Sequence, residues 1–86
     1  MKVLIVNRNE VRQWLPMSEC IDVVAEVLKM QSQGNTVNPL RQSMWLPNRE
    51  GLLGMMPAYL ADYDIMGLKV VSVFQGNHDT QFDSHH

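Results

Sequence analysis

Residues 55–77, MMPAYLADYDIMGLKVVSVFQGN, decide how the rest of the chain folds. From Ile65 to Phe74 every residue is apolar or small except Lys69. Alternate side chains of a strand share a face, so Lys69, Val71 and Val73 are expected together on one side. An ammonium in such a run either snorkels to water, as on an edge strand, or meets an anion. Just upstream, Ala61-Asp62-Tyr63-Asp64 reads as a turn. Residues 52–56 form another extended run, whose pairing Pro57 is expected to interrupt.

Working outward, residues 40–46 (LRQSMWL) alternate, with Leu40, Gln42, Met44 and Leu46 on one side and Arg41, Ser43 and Trp45 on the other. Pro39 sits at the entry, where a missing donor does least harm. Pro47-Asn48-Arg49-Glu50-Gly51 then supplies turn chemistry, so residues 40–46 and 52–56 are expected to form an antiparallel hairpin.

Further toward the N-terminus, Ser18 is the expected cap and Gly34 the left-handed stop of the main helix. Ile21, Val24, Ala25 and Leu28 make one apolar stripe, and Cys20, Val23, Val27 and Met30 a second beside it. So broad an arc calls for more than one covering neighbour. Cys20 within it reads as a buried, inert thiol, and the arc of Glu19, Asp22, Glu26, Lys29 and Gln33 as a solvated face. Before this, Asn7 and Glu10 have capping-box spacing, Val11, Trp14 and Leu15 share a side, and Pro16 stops the helix. Trp14 reads as a filler of a core or interface. Residues 2–6 (KVLIV) are apolar and rich in β-branched side chains, a strand expected to be buried on at least one face. The order β-α-α-β-β-β argues for an α+β fold, a mostly antiparallel sheet of about four strands with two N-terminal helices packed on one face.

Composition narrows the function classes. The 86 residues are one small domain, and seven Lys+Arg against nine Asp+Glu leave no basic face for nucleic acid. One cysteine cannot make an internal disulfide, and no apolar run is long enough for a membrane span or a signal peptide, so a soluble, cytoplasmic protein is expected. No G-x-G-x-x-G, phosphate-cradling lysine loop, G-x-S-x-G or helical H-E-x-x-H occurs. The polar end of the chain reads as a flexible tail. Its His78, Asp79, Asp83, His85 and His86 lack the spacing that specifies a metal site, so none is assigned. Arg41 and Lys69 remain as notable cations, which would repel each other unless an anion such as a carboxylate lay between them. Arg41 taken alone could equally be an exposed strand residue.

NPLRQSMWL, GLLGMMPAYL, MGLKVVSVFQGN and the terminal DSHH, in this order after a strand and paired helices, resemble the N-terminal part of the ornithine cyclodeaminase and mu-crystallin family. M-P-A-Y-L followed by G-L-K-V-V and F-x-G-N is the most specific series. The family also holds alanine dehydrogenases and ketimine reductases. The resemblance implies that residues 1–86 are a single, partial substrate-binding and dimerisation domain, preceding a Rossmann domain for NAD(H) or NADP(H). It implies that Arg41 and Lys69 grip an amino-acid or imino-acid carboxylate and that Met56 lines the pocket. Ser84 and His85 match a Thr/Ser-His-Gln-Gly stretch near the family's active site, although His86 stands where the glutamine belongs.

The family's catalytic aspartate and a further carboxylate-binding arginine lie downstream and have no counterpart in these residues. The chain by itself is therefore expected to bind no cofactor, turn nothing over and expose an unpaired sheet edge, self-associating as a dimer or larger oligomer. The alternative is a stand-alone oligomeric interaction or small-anion-binding protein derived from the same fold.

Overall fold

A computed structural model describes every residue except Asp79. The chain divides into two compact units, Met1–Gly34 and Asn35–His86. Together they supply two helices and a four-stranded antiparallel sheet, an α+β fold.

In the first unit, α1 spans Arg8–Trp14 and α2 spans Met17–Ser32. The Asn7 side chain accepts from the Glu10 amide at 2.9 Å, and the Glu10 carboxylate accepts from the Asn7 amide at 3.1 Å. This closed capping box satisfies two amides that the first turn would otherwise leave open. α2 begins two residues earlier than the Ser18 cap predicts, with Pro16 at its cap, where a residue without an N–H costs nothing. Gly34 adopts φ +77°, the left-handed turn that Gly supplies without strain. Met30 is buried and Cys20 only half-buried, while Ile21, Val24 and Leu28 remain exposed.

Residues 2–6 depart from expectation. They form no strand, and Val3, Leu4 and Ile5 are 74%, 77% and 83% exposed. A β-rich sequence becomes a strand only when a ladder partner takes up its amides and carbonyls, and no described residue pairs with this arm.

The second unit is organised on β3 (Leu52–Leu60). One side of β3 pairs with β4 (Ile65–Val73) along its full length. The other side pairs with β2 (Gln42–Trp45) from Met55 to Leu52 and with β1 (Thr36–Val37) at Leu60 and Tyr59. The expected hairpin is present, with Leu46 and Gly51 hydrogen-bonded across its turn at 3.0 Å. Contrary to expectation, Pro57 does not interrupt the β3–β4 ladder, where it faces Leu68. It lies at the place where β3 has no partner from β1 or β2, so a missing donor leaves no ladder acceptor stranded on that side.

The link between β3 and β4 is a 3-10 turn, Ala61–Tyr63, closed by Asp64 at φ 52°, a left-handed position that aspartate tolerates. The Tyr59 hydroxyl donates to Asp64 Oδ1 at 2.8 Å, and this bond to the neutral phenol raises the Tyr59 pKa above 10.0, with burial adding to it. A phenol that holds its proton longer in the folded state adds stability below pH 10 that is lost as pH rises through the folded value. Ultraviolet titration of phenolate should therefore show one tyrosine ionising late, and Asp64→Ala should bring that step to lower pH.

The end of the chain is not the free tail that composition suggests. After a 3-10 turn at Gln75–Asn77 it returns to β4, where His85 bridges antiparallel to Val73. Ser72 and His86 exchange backbone bonds of 2.6 and 2.8 Å, and the Phe74 amide donates to the Ser84 carbonyl at 2.6 Å. Among the described residues, no helix is long and apolar enough to cross a membrane.

Candidate functional site

Directly paired residues of antiparallel strands project to the same face of the sheet, so the register fixes which side chains can meet. Lys69 of β4 pairs with Met56 of β3. β2 pairs Gln42 with Met55, and the same register continued by one residue sets Arg41 opposite Met56. On that continuation Arg41 would fall in one row with Met56 and Lys69, on their face, although the β2–β3 pairs themselves end at Gln42 and Met55. Arg41 lies one residue before β2 rather than inside it, and both cations are exposed while Met56 is half-buried. Two strand spacings, about 10 Å, separate the outer backbones of the row.

The rows on either side are small. Ala58 pairs with Gly67 on one flank, and Ser43, Gly54 and Val71 align on the other. A Cβ at Gly67 would meet nothing within 4 Å, and one at Gly54 would touch Val71 Cγ1 at 3.4 Å. Trp45, Leu52 and Val73 align on the same face further along the sheet. Sequence reading did not single out Gly54, Ala58 or Gly67, because only the register shows that they flank the cations. The Arg49 guanidinium stacks 5.3 Å from the Trp45 ring, away from the row.

Ser84 and His85 are not brought to the cations. His85, opposite Val73, shares the face of Lys69 but stands four residues further along β4, about 13 Å at strand rise. Its Nδ1 lies 3.1 Å from the Ser84 hydroxyl, and its ring meets His78 edge-on at 6.5 Å between centroids. No group of three metal-binding side chains occurs among the described residues, and Asp79, one of the tail candidates, lies outside them.

Residues 1–86 match the ornithine cyclodeaminase/mu-crystallin family over their whole length. The chain belongs to that family. A Delta(1)-pyrroline-2-carboxylate reductase of Bacillus cereus (strain ATCC 10987 / NRS 248) is 33% identical over 75 residues, which are 87% of this chain and 23% of that protein. The mouse ketimine reductase mu-crystallin is 35% identical over 52 residues, 60% of this chain and 17% of the relative. Among solved structures, Thermococcus litoralis Delta(1)-pyrroline-2-carboxylate reductase, in complex with NADH and L-proline, superposes with a TM-score of 0.85 at 26% identity. That match covers 96% of this chain and 26% of the reductase. An archaeal alanine dehydrogenase dimer with bound NAD gives a TM-score of 0.82 at 28% identity, over 99% of this chain and 25% of its own. The chain spans about a quarter of the length of the relatives it matches.

Proposed function

We propose that this chain is the substrate-binding and self-associating portion of an NAD(P)-dependent enzyme acting on amino or imino acids, its role being to seize the substrate carboxylate. The observation that supports this reading is Lys69 paired with Met56 across β4 and β3, with Arg41 one residue before the Gln42–Met55 pair, where the same register would carry it to that face. A guanidinium and an ammonium on opposite sides of a carboxylate each give charge-assisted hydrogen bonds, and together they fix the position of the adjoining α-carbon. The small residues beside the row leave room for the rest of the molecule. A relative holding NADH with L-proline supports this substrate class.

Hydride transfer is the chemistry a nicotinamide supplies when bound. This chain's contribution is to bind and orient. Its described strand pairings are all antiparallel, and its sequence holds no G-x-G-x-x-G, so no dinucleotide cradle is assigned to it. Calorimetric titration with L-proline, L-alanine and 2-oxo acids should give saturable, salt-sensitive binding, with none for the corresponding amides and none for NADH. Equal responses to acid and amide would overturn the carboxylate reading.

Self-association belongs to the same proposal. It is supported by the many large apolar side chains left exposed on both units.

A further inference from the structure

Between Val37 and Gln42 the chain holds four residues, whereas β3 holds three between their partners Tyr59 and Met55, so one residue is extra where β1 passes into β2. Residues 38–41, which carry this surplus, stand off the ladder, and Leu40 among them is 96% exposed. Beside them Val37, Pro39, Pro57, Tyr59, Met66 and Leu68 line an apolar hollow of about 390 Å³. We propose that residues 40 and 41 are a strap that closes onto β3 when a carboxylate arrives, the Leu40 side chain entering the hollow and Arg41 thereby turning toward Lys69. Leu40 is then a positioning residue that acts through Arg41. This rests on the carboxylate reading above and adds how the second cation reaches the anion.

Register and hydrogen bonding both favour closure from the β2 side. The β1 register, continued, sets Pro39 opposite Pro57, where neither residue has an amide hydrogen and no ladder bond can form. The β2 register, continued by two residues, sets Leu40 opposite Pro57 instead. Leu46 and Gly51 are hydrogen-bonded, and such pairs recur at every second residue, so the rung of Leu40 and Pro57 is of the hydrogen-bonded kind. The Leu40 amide can donate to the Pro57 carbonyl, but Pro57 has no N–H to return. Half a rung explains why residues 40 and 41 stand off the ladder, since closing them orders two residues for one bond. The remaining drive comes from the side chains. Pro57 pairs with Leu68 on the face that holds the hollow, and successive side chains alternate, so Leu40 on that face puts Arg41 on the face of Met56 and Lys69. Two cations on one face repel until an anion lies between them, which ties closure to the ligand. Burying an exposed leucine and clasping that anion then favour the same closed form.

Nuclear magnetic resonance of the whole chain, titrated with L-proline, tests the strap. On saturation the Leu40 amide should exchange about tenfold more slowly, and the Leu40 methyls should gain contacts with the Tyr59 ring. Leu40→Gln, which sets a polar group against an apolar hollow, should weaken L-proline binding about fivefold, while Leu40→Met should bind like the parent. In an Arg41→Ala background Leu40→Gln should bring no further loss, because Leu40 acts through that cation. Thermal unfolding without ligand should match the parent for Leu40→Gln, since the side chain is exposed there. The resonance measurement needs no variant, so it decides the matter even if a substitution disturbs folding. L-Proline binding that brings no contact between Leu40 and Tyr59, or that Leu40→Gln leaves at full strength, would overturn the strap and leave the carboxylate reading standing. An undiminished loss in the Arg41→Ala background would overturn the role given to Leu40. A parent chain that binds no L-proline would overturn both readings.

Discussion

Lys69→Ala is expected to weaken binding of small carboxylates by about thirtyfold, the loss of one hydrogen bond to a charged group worth about 2 kcal/mol. Arg41→Ala should cost a similar amount, because the row gives each cation one side of the same anion. The two losses should not add in the double variant, since a carboxylate held from one side only is free to turn away from the remaining cation. Met56→Ala, which removes an apolar floor and no charge, should cost less. Lys69 is exposed, so its removal should leave thermal unfolding without ligand nearly unchanged, and calorimetric affinities can be read without a folding correction. Carboxylate binding that survives Lys69→Ala at full strength would remove the residue from the site, and with it the argument from the row.

Gly51→Val is expected to destabilise the second unit by about 2 kcal/mol, in the range for overpacking a fitted position. Gly51 is buried at the end of the β2–β3 turn, and a Cβ there would run into the edge of the Phe74 ring, with Cζ 2.9 Å away. The ring must leave its place, and Phe74 joins β4 to the segment that returns as Ser84–His86, so the disturbance reaches the His85 bridge. A melting temperature lower by about 10 °C is the corresponding shift for a domain of this size. Gly67→Ala is the comparison, since its Cβ meets nothing within 4 Å and stability should barely change. Equal melting temperatures for both variants would show that Phe74 is not held against the turn.

Where a local rule was strong, the fold was legible in the sequence. The Asn7–Glu10 box, the left-handed Gly34, the hairpin through Pro47–Gly51 and the long strand around Lys69 each depend on neighbours a few residues away. The misreadings arose where a distant partner decides. Residues 2–6 have a strand's composition, but pairing is a property of two segments. Pro57 looked like a break because its sequence does not reveal that β1 and β2 leave β3 open beside it. The terminal residues looked free, being polar and charged, although their backbone groups pair with β4 without regard to side-chain type. The candidate site was half legible: a charge in an apolar run marked Lys69, whereas its alignment with Arg41 and the small flanking rows needed the register.

The bare arm at residues 2–6 has a practical consequence for handling the protein. Four consecutive apolar positions, residues 3–6, without a ladder partner among the described residues are a seed for cross-β growth whenever chains are crowded. Lys2 and Arg8 bracket that seed with positive charge, which sets stacked chains against one another. Solubility should consequently be lowest in concentrated salt, where those two gatekeepers are screened.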